Sequence, residues 1–93
     1  MELIHCLPRK NDHLAWRIID GEAFIVHPAN GMIYPLNDVA TRIWELMDGR
    51  RTANEMVDAL YGEFDAPRPV IQEDLLSFLE SSLKADLISI ERE

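Results

Sequence analysis

A chain of 93 residues, 47% apolar and 28% charged, has the size and composition of one globular domain with a modest core. Its formal net charge of −8, from 17 acidic against 9 basic residues, has the wrong sign for gripping nucleic-acid phosphates, which needs a basic face. The lone Cys6 rules out an intrachain disulfide, and no apolar run approaches the ~20 residues of a membrane span, so a reducing cytoplasm is the expected compartment.

Residues 1–13 carry Pro8 and the polar run Arg9-Lys10-Asn11-Asp12 and read as an N-terminal arm or loop. "LAWRII" (Leu14–Ile19) and "EAFIVH" (Glu22–His27) are rich in β-formers and flank Asp20-Gly21, a hairpin signal because both turn positions favour a positive φ. "PANG" makes the next turn, and "MIYPL" (Met32–Leu36) forms a third strand. Pro35 cannot donate to a ladder, which places that strand at an edge. The pattern predicts a three-stranded antiparallel meander.

Helical signals follow. Asn37 is an N-cap, and Leu36, Ala40, Ile43 and Met47 form one stripe that Val39 and Leu46 widen. Asp48-Gly49 ends this helix, with Gly49 suited to the left-handed C′ position. Thr52-Ala53-Asn54-Glu55 is a capping box that opens a second helix, with Met56, Val57, Leu60, Tyr61 and Phe64 on its apolar side and Gly62 at its end. The stiff "DAPRP" connector leads to a third helix from Pro69 to Lys84, its inner side bearing Ile71, Leu75, Phe78, Leu79, Ser82 and Leu83. "LISI" (Leu87–Ile90) suits a last short strand. The expected class is α+β: a winged helix-turn-helix-like plan, with a three-stranded antiparallel meander followed by three α-helices.

Catalysis finds little to work with. His5, His13 and His27 are scattered, none is spaced four residues from another His or a carboxylate, and each glycine falls at a turn. No enzyme activity, metal or cofactor is expected. Nucleic-acid binding by the helix-turn-helix is the alternative function. Its second helix offers Asn54, Glu55 and Asp58 without a cation, and the dense cations are Arg50-Arg51 in the turn and Arg9-Lys10 in the arm. Peptide capture is the third possibility. The edge strand Met32–Leu36 can accept an extended peptide, with the third helix as the facing wall.

The stretch "LNDVATRIWELMDGRRTANEMVDALYGEF" resembles the opening helices of the PqqD family, peptide chaperones that also define the RiPP recognition element. The resemblance rests on Leu36-Asn37, Ala40, Asp48-Gly49, Arg51-Thr52 and Glu55-Met56, and in "EDLLSFLESSLKADLIS" on Asp74, Phe78-Leu79 and Leu87. It runs from Ala23 to Ser89. Where the family often has Gly before the closing Leu, this chain has Asp86. The resemblance implies a non-catalytic module that binds the leader of a ribosomal precursor peptide by strand addition and presents it to a modifying enzyme, a radical SAM protein in PQQ biosynthesis. The implied peptide-binding residues are Met32, Ile33, Tyr34, Leu75, Phe78, Leu79 and Ser82, with Asp74 and Ser82 adjusting specificity at the ends. A Tyr34→Pro change is expected to remove a ladder donor and weaken peptide binding, provided the fold survives. Pairing of two copies through the same edge would give a homodimer.

Overall fold

A computed structural model describes residues 3–92. Strands β2 (Ala15–Ile19), β3 (Glu22–Val26) and β4 (Ile33–Pro35) form an antiparallel sheet in the order β2-β3-β4, so β2 and β4 are its two edges. The Asp20-Gly21 turn joins β2 to β3, and both residues have positive φ, 52° and 82°. Helices α1 (Asp38–Leu46), α2 (Ala53–Glu63) and α3 (Arg68–Lys84) follow. The three-stranded sheet and three helices thus appear as the pattern predicted.

Residues 1–13, expected as an arm or loop, contain more structure than that. A 3-10 turn at Leu3–His5 leads into β1 (Cys6–Lys10), which pairs antiparallel with β5 (Ile88–Arg92) in a separate two-stranded ribbon. Pro8 fits because β1 pairs along its length only with β5, its other side making a single bridge from Arg9 to Asp48. Lys10 fastens the ribbon to the body. Its ammonium donates to Met47 O at 2.9 Å and lies 5.4 and 5.6 Å from the ring centres of Trp16 and Trp44. Burial pulls its pKa below the usual lysine range.

The caps act where the residue types indicated. Asn37 accepts from Ala40 N–H, and Thr52 and Glu55 form a reciprocal capping box. Between α1 and α2, Asp48 Oδ1 accepts from the N–H groups of Arg50 and Arg51, while Arg51 donates to Leu46 O at 3.0 Å. Gly49 takes the left-handed φ of 79° that favours glycine, but α1 is capped at Met47, so Gly49 stands at C″, one position past the expected C′. Helix α2 passes through Gly62 and ends at Glu63, one residue beyond the expected stop.

The core lies between the inner sheet face and the helices. It is built from Ala23 and Ile25 of β3, Ile43 and Trp44 of α1, Met56, Val57 and Leu60 of α2, and Ile71, Leu75 and Leu79 of α3. Trp44, absent from the expected stripe, heads the fully buried side chains by volume. Tyr61 and Leu83, expected inside, are exposed.

Candidate functional site

The free edge of β4 is the starting point. Leu36 N–H donates to Ala23 O and His27 N–H donates to Met32 O, which brackets the β3–β4 ladder. Opposed residues in an antiparallel ladder alternate between bonded and non-bonded pairs. Tyr34, paired with Ile25, therefore spends its N–H and C=O on β3. Ile33 turns its N–H and C=O outward, as Pro35 does its C=O. This corrects the Tyr34→Pro expectation: that change would damage the internal ladder, and the edge donor of β4 is Ile33. Pro35 leaves the edge one N–H short.

Side chains alternate in the opposite sense. Ile33 shares the outer sheet face with Val26 and Phe24 and is 60% exposed. Met32, Tyr34 and Leu36 point to the helix side. There a groove of about 340 Å³ runs between β4 and α3, walled by Met32, Tyr34 and Leu36 on one side and Phe78, Ser82 and Leu87 on the other. Ile33 also borders it.

Five of the seven expected residues, Met32, Ile33, Tyr34, Phe78 and Ser82, thus meet at one groove. Leu75 and Leu79 do not line it. Both are 0% exposed and belong to the core. They stand behind the wall, while half-buried Phe78 presents its ring to the groove. Pro35, Leu36, Ser81, Ala85 and Leu87 complete the lining and were not singled out from sequence as binding residues. The helical spacing of Ser81 and Ala85 to Phe78 and Ser82 was the signal that carried them.

The groove's far end is held by a tie between β3 and the end of α3. His27, buried at the end of β3, accepts Ala29 N–H at Nδ1, which leaves Nε2 to donate to Asp86 at 3.1 Å. Asp86 has φ 61°. Its N–H donates to Leu83 O, and Leu87 N–H donates to Ser82 O at 2.9 Å, which makes a Schellman cap on α3. The left-handed C′ position explains why glycine is common there.

The cations of the α1–α2 turn and of β1 are partly committed. Arg51 is bonded within the α1–α2 turn, and Arg9 pairs with Glu91 at 3.0 Å. No group of His, Cys, Asp or Glu that could hold a metal occurs among the described residues. No helix of the described residues is long and apolar enough to cross a membrane.

Known proteins share this fold. The PqqA binding protein of Gluconobacter oxydans (strain 621H) is 33% identical over 55 residues, covering 59% of this chain and 57% of that protein. The chain therefore matches little more than half the length of that curated relative. Among solved structures, TbiB1 in complex with the TbiA(beta) leader peptide is 30% identical with a TM-score of 0.80, over 87% of this chain and 94% of that one. The PqqD truncation of Methylobacterium extorquens PqqCD, described as a functional and stand-alone RiPP recognition element, shares the fold at 23% identity and a TM-score of 0.73, over 88% and 87% of the two chains. A lasso peptide synthetase B1 complexed with its leader peptide shares it at 16% identity and a TM-score of 0.80, over 89% and 98%. Residues 22–88 match the family described as coenzyme PQQ synthesis protein D (PqqD), and the chain belongs to that family.

Proposed function

We propose that this chain is a recognition element for a ribosomally made precursor peptide. It binds the leader segment as a strand added to β4 and presents the rest to a modifying enzyme, without catalysing the modification itself. The observation that carries the reading is the open edge of β4 beside an apolar groove walled by α3. Backbone pairing with Ile33 and Pro35 gives register, and alternate peptide side chains enter the groove at Tyr34, Phe78 and Ser82. Leu75 and Leu79 back the wall. TbiB1 and its lasso counterpart, each in complex with a leader peptide, support the same occupant. The enzyme that receives the peptide is proposed to be a radical SAM protein, as the resemblance to the PqqD family implies. Pairing of two copies through β4 would compete with the peptide.

The test is an NMR titration of the 15N-labelled chain with the leader of the precursor encoded beside its gene. Amide shifts are expected at Ile33, Tyr34, Phe78 and Ser82, and shifts confined to α2 or the β1–β5 ribbon would overturn the site. Ile33→Pro removes the edge N–H while sparing the β3 ladder. Loss of one hydrogen bond of ~1–1.5 kcal/mol corresponds to roughly tenfold weaker binding. A gel shift with duplex DNA at moderate salt is expected to show no complex.

A further inference from the structure

The groove beside β4 does not stop at Leu36. Phe78 and Ser81, which wall it, also line a second hollow of about 330 Å³ between α1 and α3. Chain order fixes how the two join. Along α3 the groove is met from Ala85 to Phe78, and the hollow continues to Ser77 and Asp74. On the opposite wall, Met32–Leu36 gives way to Asn37, Val39, Ala40 and Ile43. The two adjoin at Phe78 and Ser81, apolar at the Met32 end and polar at the Asn37 end.

The polar end is electronegative and unbalanced. Asp74 is exposed in the hollow and has no hydrogen bond or ion pair among the described residues. Asp38, between two lining residues, accepts only its neighbour's N–H, from Val39. The cations on these helices are committed or distant. Arg42 of α1 pairs with Glu63 and Glu45, Arg68 of α3 pairs with Asp58, and Lys84 stands at the opposite end of α3. The chain as a whole carries −8.

We propose that this hollow receives a lysine or arginine side chain of the bound peptide, with Asp74 as the specificity-determining carboxylate. The proposal rests on the reading of the β4 groove as the peptide site. The alkyl stem lies against Val39, Ala40 and Ile43, and the cationic head reaches Asp74, with Asn37 and Ser77 as further acceptors. Asp74 is four residues, about 6 Å, along α3 from Phe78. An extended peptide covers that distance in about two residues. The cation therefore stands about two residues past the side chain seated on Phe78, toward the Asn37 end.

The test is selection of random twelve-residue peptides by display on the wild-type chain and on Asp74→Asn and Asp74→Lys. The wild type is expected to enrich alternating apolar residues with Lys or Arg at one fixed offset. Asp74→Asn is expected to keep the apolar pattern and lose the basic preference, and Asp74→Lys to replace it with Asp or Glu. A synthetic peptide of the enriched sequence should bind Asp74→Asn three- to tenfold more weakly, with a smaller salt dependence. An apolar pattern without a basic position, or a basic position that survives in Asp74→Asn, overturns the assignment of Asp74. If the wild type enriches no pattern, or Ile33→Pro leaves the pattern unchanged, the groove reading itself fails and the subsite falls with it. A basic bias spread evenly over all positions would be the attraction of the −8 chain alone and also overturns the subsite.

Discussion

Asp86 shows how one side chain can occupy a position that favours glycine. A non-glycine residue in the left-handed region costs about 1–2 kcal/mol, less for Asp, whose short polar side chain bonds locally. Here the carboxylate takes His27 Nε2–H at 3.1 Å, and the side chain is 77% exposed, so this bond contributes little beyond placement. Asp86→Gly is therefore expected to change stability by no more than about 1 kcal/mol, because the backbone relief offsets the lost bond. Asp86→Ala raises the backbone cost to its full value and loses the bond, and should be about 1–2 kcal/mol less stable, or roughly 4–16 °C lower in Tm. Thermal unfolding followed by circular dichroism separates the two. Equal losses for Gly and Ala would mean that the His27 tie, and not the backbone, governs this cap.

Helix α3 performs two tasks on adjacent faces, and substitutions should separate them. Leu79 is fully buried, and Leu79→Ala should cost about 2–5 kcal/mol through the cavity left behind. Phe78 is half-buried on the groove wall, so Phe78→Ala should weaken peptide binding more than it weakens the fold. Urea unfolding and peptide titration of both variants check this; the same loss of stability in each would place Phe78 in the core. This division was only partly legible in the sequence. The caps at Asn37 and Thr52 and the turn at Asp20-Gly21 were plain, because each depends on a few adjacent residues. Periodicity placed Leu75, Phe78 and Leu79 on one broad side of α3, but neighbours 100° apart cannot be assigned to core or groove without knowing what packs there. Trp44 was overlooked for the same reason, although it lies four residues after Ala40 and three before Met47. Strand β1 was hidden because its partner, β5, lies some eighty residues away and "CLPRK" has no strand pattern of its own. The choice between Tyr34 and Ile33 as edge donor follows from ladder register, which the type of each residue does not encode.

At the scale of the whole molecule, acid should act through a few carboxylates. Asp48 is held below the usual carboxylate range, first by the Arg50 N–H and then by that of Arg51, and Glu63 by its hydrogen bonds from Arg42. A folded pKa below the unfolded one means that the unfolded chain binds more protons in acid. The contribution is complete above the unfolded value of about 4 and is lost as pH falls through the folded value. Both side chains are about two-fifths exposed, so each contribution should be no more than about 1 kcal/mol. The urea midpoint should fall between pH 5 and pH 3, and the Asp48→Asn/Glu63→Gln double variant should show a shallower fall. An unchanged slope would assign acid sensitivity to other groups. The β1–β5 ribbon bears on how the unit can be used. With Cys6 opposite Arg92, the first and last described strands run side by side, about 5 Å apart. A surface loop of an unrelated host whose stems are equally close can carry this fold as an insert, and the splice touches neither β4 nor α3. The groove between β4 and α3 would then travel as a cassette, to bring a chosen peptide to an enzyme that never evolved to meet it.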